Sequence, residues 1–271
     1  MSLQKLTAAI LDKVWGAQDT QPWLANPEGR KVGEIWFSAP EVLPVLVKFL
    51  FTTERLSVQV HPGDSYGQAH GGERGKTEMW HILRADPDAK IALGLREPVT
   101  KEVLRTSALN GEIVNLLRWI TVQAGDTFFV PAGTIHAIGG GLVLCEIQQF
   151  SDVTYRLFDY GRKPARPLHL DDALAVARLE PADGRCGVTP YAVGRDVLAD
   201  CEYFHTARVS ICGRALCSSS PQPAIYLAIA GEGTLAGEPF RAGEAWLIPA
   251  GEPAFSIDSA DAVFVIASGG G

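Results

Sequence analysis

A mainly all-β fold, built as two barrel or jelly-roll units, is what the sequence predicts, and three observations predict it. Short apolar runs of strand character recur between Gly, Pro and Asp turn signals. Helical patterns are few. A stretch of the first half is echoed in the second. The runs are "VLVKFLFT" at 45–52, "KIALGL" at 90–95, "WITVQ" at 119–123, "DTFFVPA" at 126–132, "LVLCEIQQF" at 142–150 and "VTYRLFDY" at 153–160. Helix is expected over residues 3–13, within 98–117 and over 170–178. Many short strands with regular turns suit a barrel or sandwich better than a βαβ fold.

The echo places "GDTFFVPAGTIHAI" at 125–138 on "GEAWLIPAGEPAFSI" from Gly243 onward. Gly125 falls on Gly243, Pro131 on Pro249 and Gly133 on Gly251, so a turn, a short strand and a Pro-x-Gly corner are repeated. His136 falls on Ala254, which confines any metal site to the first copy. The loop-like "EPADGRCGV" at 180–188 is the expected boundary.

Composition narrows the function. A chain of 271 residues with net charge −7 and no Lys/Arg run lacks the clustered positive charge that nucleic acid or an anionic membrane requires. No run approaches the ~18 apolar residues of a membrane span, and the N-terminus does not read as a signal peptide. Five cysteines without C-x-x-C spacing fit reduced thiols, hence a cytoplasmic protein, better than a disulfide framework. Oligomeric state is not legible.

The alternation in "LSVQVHPGD" at 56–64 puts Ser57, Gln59 and His61 on one strand face and Leu56, Val58 and Val60 on the other. The polar face is turned either to bulk water or to a site. Gln59 and His61 lie about 6–7 Å apart along a strand. Glu78 opens the strand-like "EMWHIL" after a Gly-rich loop, "GQAHGGERGK", and His136 follows the "PAGT" corner. A barrel brings these segments together, and two imidazoles, a carboxylate and an amide oxygen suit zinc or another borderline divalent ion. The alternative is a wet strand face with His136 capping a turn.

A second polar row comes from "LCEIQQFSDVTYRLFDYGR", with Glu146, Arg156 and Arg162. Lys48 interrupts an apolar run, as a snorkelling stem or an inward cation, and Lys76 stands two residues before Glu78. Inward cations beside a metal favour an anionic substrate such as a sugar phosphate, whereas surface salt bridges are the plainer reading. His70, His81, His169 and His205 read as structural, His70 least firmly because its glycine-rich loop could present it to a substrate.

Together, "LVKFLFTTERLSVQVHP", "GKTEMWHIL", "GDTFFVPAGTIHAI" and "EIQQFSDVTYRLFDYGR", with "VWG" and "GEIW" near the N-terminus, resemble the type I mannose-6-phosphate (phosphomannose) isomerases of the cupin superfamily, in their short bacterial form. The resemblance implies one Zn²⁺ per chain held by Gln59, His61, Glu78 and His136. It implies aldose–ketose interconversion of mannose 6-phosphate and fructose 6-phosphate through a cis-enediol. Arg156, Lys76 and Glu146 match catalytic positions. Ser57 and Arg162 match positions associated with phosphate, and Lys48 is a further substrate-binding candidate. Residues 1–178 become the catalytic metal-binding cupin with N-terminal and inserted helical segments, and 186–271 a degenerate cupin-like β domain without ligands. Two departures stand out. The large helical insertion of long members is missing, and Gly75 stands where they can carry a histidine. A cupin that binds a sugar without turnover, or an isomerase of another hexose or its phosphate, are the competing functions.

Overall fold

The protein is described by a computed structural model covering residues 3–40, 43–71, 74–182, 184–186, 189–192 and 194–270. Residues 72 and 73 of the glycine-rich stretch and 183, 187 and 188 of the predicted boundary lie outside the described residues. The chain begins with β1 (Gln4–Lys5), β2 (Thr7–Ala17), β3 (Val32–Ser38), β4 (Leu46–Thr52), β5 (Val58–Val60), α1 (Asp64–Gly71), β6 (Glu78–Ala85) and β7 (Lys90–Leu95). It continues with α2 (Lys101–Asn110), α3 (Ile113–Leu116), β8 (Leu117–Thr121), β9 (Thr127–Val130), β10 (His136–Ile138), β11 (Leu142–Gln148), β12 (Tyr155–Phe158) and α4 (Leu170–Val176). Among the described residues, only strands follow: β13 (Thr189–Ala192), β14 (Arg195–Asp200), β15 (Phe204–Cys217), β16 (Ala224–Ala230), β17 (Glu232–Leu235), β18 (Glu238–Arg241), β19 (Ala245–Ile248) and β20 (Phe255–Gly269). The mainly β class holds, with the helices short.

Two helical expectations need correction. Most of residues 3–13 is strand, in β1 and β2: β2 pairs antiparallel with β3, Ala8 opposite Phe37 and Ile10 opposite Ile35. Ladder bonds and the burial of Ile35 and Phe37, each 1% exposed, outweigh the local helix preference of Ala, Leu and Lys. Conversely, part of the predicted glycine-rich loop is the helix α1, with Asp64 in its first turn and His70 in its last. The other two helical segments form where expected. α2 starts at an N-cap, where Thr100 Oγ1 accepts from Val103 N–H at 3.2 Å. It stops at Gly111, whose φ of 87° is the left-handed cap glycine tolerates.

The chain divides into two compact units, Met1–Lys13 with Ala17–Phe49 and Cys186–Gly271, and Val14–Gly16 with Leu50–Arg185. In the first, the strand order is β1-β19-β16-β20-β15-β14-β13, with β17 and β18 off its path. Its core gathers Ile211, Phe240, Trp246 and Phe264. In the second, a five-stranded sheet runs β12-β5-β10-β7-β8, and β6 pairs with both β11 and β9. One core of this unit packs Trp80, Ile82, Phe128 and Leu144 with Ile91, Leu93 and Ile138. The other packs Val58, Val60, Ala137 and Leu157 against Leu104 and Ala108 of α2 and Ala173 of α4.

The echoed segments have the same form. β9 and β19 occupy corresponding positions, each preceded by a glycine at φ 92°, Gly125 and Gly243. In each, an acidic side chain closes the turn: Asp126 accepts from Gln123 N–H at 3.0 Å, and Glu244 from Arg241 N–H at 3.3 Å. None of the five cysteines forms a disulfide. Among the described residues, no helix is long and apolar enough to cross a membrane.

Candidate metal centre

β5 explains the mixed strand. Val58 and Val60 supply the apolar core beneath α2 and α4, so by alternation Ser57, Gln59 and His61 point the other way. Both faces are covered: Ser57 is 3% exposed and His61 2%. Across the five-stranded sheet, Gln59 pairs with His136 on one side and Arg156 on the other. Residues opposite one another in an antiparallel pair share a face, so this rung carries three of the predicted residues. Glu78 opens β6 opposite Gln148, and Trp80, two residues on, stands opposite Glu146.

His61, Glu78 and His136 converge, with one donor atom from each all within 4.8 Å of one another. Each imidazole is fixed from behind by a backbone carbonyl. His61 Nδ1 donates to Val153 O at 2.8 Å, and His136 Nδ1 to Thr134 O at 2.9 Å. That places the ring proton on Nδ1 and turns a bare Nε2 lone pair inward. Burial pushes His136 down to about 4, which keeps it neutral. The two Nε2 atoms face Glu78, His136 at 3.4 Å from Oε1 and His61 at 3.6 Å from Oε2.

Two nitrogen lone pairs and a carboxylate therefore confront one another in a buried pocket, a repulsive arrangement that positive charge among them relieves. The donor set fits a borderline divalent cation. Gln59 lies beside it, its Nε2 at 3.2 Å from His136 Nε2 and its Oε1 accepting from Ser57 Oγ at 3.1 Å. A half-turn of this amide exchanges its two ends and brings Oε1 to the same point. Among the described residues no other group of His, Cys, Asp and Glu converges in this way.

The flanking charges are buried too. Lys76 Nζ lies 3.3 Å from Glu78 Oε2 and is 4% exposed. Burial alone pulls its ammonium down, but the carboxylates of Glu78, Glu146 and Asp152 outweigh that and hold it above its ordinary value. Glu146, 4% exposed, accepts from Trp80 Nε1 at 3.0 Å.

Gly75 has a steric reason to be glycine. A Cβ there would meet Asp64 N at 2.5 Å and Gly63 C at 2.6 Å, both backbone. A histidine at this position is incompatible with the path the chain takes. Gly75→Ala is expected to cost about 2 kcal/mol of stability through overpacking. It should also displace Lys76, lowering activity more than the loss of folded protein explains; thermal melting beside turnover per folded molecule checks this.

Arg162 is drawn to a different cluster. It donates to Asp159 Oδ1 at 2.8 Å and to the Arg55 carbonyl at 2.6 Å, and Arg166 holds the same carboxylate at 2.6 and 2.8 Å. Arg156 senses this group. Burial pushes its guanidinium below its ordinary value, Arg166 adds to that, Asp159 opposes and Arg162 adds again. Burial would raise Asp159, but Arg166, Arg162 and Arg156 hold it low. Three guanidinium groups meet two carboxylates, Asp159 and Glu54, whose Oε2 lies 3.6 Å from Arg162, and one positive charge is left in excess. Asp159 and Arg166 were not singled out from sequence, although the spacing of arginines through "YRLFDYGRKPAR" marks the stretch.

The remaining candidates are placed as follows. Lys48 is not a snorkelling stem: it is 3% exposed, with Nζ 4.1 Å from the centre of the Trp36 ring. His70 is exposed and stacked on Tyr66, ring centres 3.8 Å apart. His81 is buried against Thr127 Oγ1 at 2.8 Å. His169 accepts from Arg156 N–H at 3.1 Å, and His205 lies 3.4 Å from Asp200.

No family model matches the chain. Among curated proteins, mannose-6-phosphate isomerase ManA of Bacillus subtilis strain 168 is 39% identical over 227 residues, which is 79% of this chain and 72% of the relative. Mannose-6-phosphate isomerase of Streptococcus mutans is 37% identical over 204 residues, 73% of this chain and 64% of the relative. The crystal structure of mannose 6-phosphate isomerase from Bacillus subtilis superposes with a TM-score of 0.88 at 28% identity, covering 98% of this chain and 99% of that one.

Proposed function

Because this chain belongs to the mannose-6-phosphate isomerase family, we propose that it interconverts mannose 6-phosphate and fructose 6-phosphate with one divalent cation, Zn²⁺, per chain. The observation that carries the reading is the buried meeting of His61, Glu78 and His136 with their lone pairs converging. These three, with Gln59 at their side, are the residues that would hold the ion. A bound divalent cation supplies Lewis acidity, stabilising negative charge on substrate oxygens.

The chain's own residues do the rest. Isomerisation moves a proton from C2 of the open-chain aldose to C1 by way of a cis-enediol. Among the three catalytic candidates only Glu146 is a carboxylate, so it is the group we assign to take up and return the proton. Lys76 and Arg156 are cations and serve the oxygens on which charge develops. Ser57 offers a hydroxyl and Arg162 a guanidinium to the phosphate, with the surplus charge around Asp159 favouring a dianion. Trp80, edge-on to His136 with ring centres 5.3 Å apart, helps keep water from this face.

The test is isomerisation of mannose 6-phosphate with a coupled fructose 6-phosphate readout, on protein before and after chelation, with free mannose as comparison. Activity that disappears with chelator, returns with Zn²⁺ and favours the phosphorylated sugar is the expected result. Folded, zinc-loaded protein without turnover of this substrate would sink the proposal.

A further inference from the structure

Three polar side chains that touch no reacting atom tie together the segments bearing the candidate ligands. Asp64 Oδ1 accepts from Gly75 N–H at 2.6 Å and from Gln149 Nε2–H at 2.8 Å. Gln149 Oε1 accepts from Thr77 N–H at 2.8 Å, and Gln149 N–H donates to the Thr77 carbonyl at 3.1 Å. Thr77 Oγ1 accepts from Ala132 N–H at 3.2 Å, inside the corner that leads to His136. Lys76 N–H donates to the Pro62 carbonyl at 2.9 Å, and Gly133 N–H to the His61 carbonyl at 2.8 Å. Gln149 is 2% exposed and Thr77 3%.

We propose that Asp64, Gln149 and Thr77 form a bracket that positions Lys76 and Glu78 against His61 and His136. Three consecutive backbone N–H groups, of Gly75, Lys76 and Thr77, are held by acceptors from two distant parts of the chain, Asp64 and Pro62 on one side and Gln149 on the other. Two of the three acceptors are side-chain oxygens rather than a neighbouring strand, and one of those is a carboxylate, the stronger kind. Gly75 lies so close to the start of α1 that the segment has no slack. The same bracket reaches the His136 corner through Thr77 and the stretch after His61 through Asp64. Displacing a catalytic group by ~1 Å costs on the order of a hundredfold in rate, so these bonds matter for turnover as well as for folding. The consequence for turnover rests on the isomerase reading; the consequence for geometry does not.

The test compares zinc-loaded Asp64→Ala, Asp64→Asn and Gln149→Glu by steady-state kinetics, Zn²⁺ affinity and hydrogen exchange at the Gly75–Thr77 amides. Asp64→Ala is expected to speed exchange at those amides, to lower kcat ~10- to 100-fold and to weaken Zn²⁺ binding about tenfold, with KM nearly unchanged. Asp64→Asn keeps the accepting oxygen and should restore all three. Gln149→Glu has the same shape but sets a carboxylate against Asp64, and should behave like Asp64→Ala. Parent-like exchange and kcat in both Asp64→Ala and Gln149→Glu would overturn the bracket, and so would equal losses in Asp64→Asn and Asp64→Ala. If Asp64→Ala does not fold, Gln149→Glu against Asp64→Asn decides by the same readouts. If the parent shows no isomerase activity, the isomerase reading fails, while exchange and Zn²⁺ affinity still confirm or refute the bracket.

Discussion

Glu78→Ala is expected to lower turnover of mannose 6-phosphate by roughly a thousandfold and to leave the protein without bound metal. The carboxylate faces both histidine Nε2 atoms, at 3.4 and 3.6 Å, and no other acid in the described cluster can take its place. If the cation contributes about 4 kcal/mol of charge stabilisation in the transition state, losing it costs roughly three decades at 1.36 kcal/mol each. Stability falls as well, because Lys76 loses the carboxylate 3.3 Å away while remaining buried. Breaking one side of a buried pair typically costs about 3–5 kcal/mol. Metal analysis, the coupled assay and thermal melting check the three parts separately. Full metal content with parent-like turnover would refute the assignment of Glu78.

Lys76→Met is the second large effect. The substitution keeps a long, flexible stem and deletes the ammonium, so packing is nearly preserved while the cation is lost. Turnover is expected to drop about 10²- to 10³-fold, the usual consequence of removing one preorganised donor from developing charge. Its effect on stability should depend on metal. In the chelated protein, the substitution leaves Glu78 and Glu146 buried with neither the ammonium nor the ion beside them. In the loaded protein, the ion takes over part of that neutralisation. The melting temperature of Lys76→Met should therefore fall further below the parent's in chelator than in Zn²⁺, and an equal shift in both conditions would refute the placement of Lys76 between the carboxylates.

Much of the centre was legible because strand alternation and the repeated corner are local signals. Ser57, Gln59 and His61 were separable from Val58 and Val60 by period alone, and His136 by its offset from Ala254. What escaped was decided by contacts between distant segments. Residues 3–13 carry helix-favouring composition, yet β3 offers a ladder whose burial decides the matter. The start of α1 was hidden among glycines, since its stability comes from packing of Tyr66 and not from propensity. Asp64 and Gln149 carry no local signal of their role. Their bonds run to backbone groups and to each other across 85 residues of chain, which no periodicity encodes. Arg162 was expected near phosphate on resemblance, and its pairing with Asp159, which also holds Arg166, could not be read from spacing.

The rung through Gln59 has a bearing on the order of events in folding. Gln59 and His136 are 77 residues apart in sequence, and the His61 ring is steadied by a carbonyl 92 residues away. Contacts of such long range close late, after the loop-closure entropy of the intervening strands has been overcome. An unfolded chain offers no preformed cluster of these donors, so ion binding is coupled to completion of the sheets. An ion held by His61, Glu78 and His136 would thus be acquired at the end of the folding path, stabilising only chains that have already brought their distant strands together.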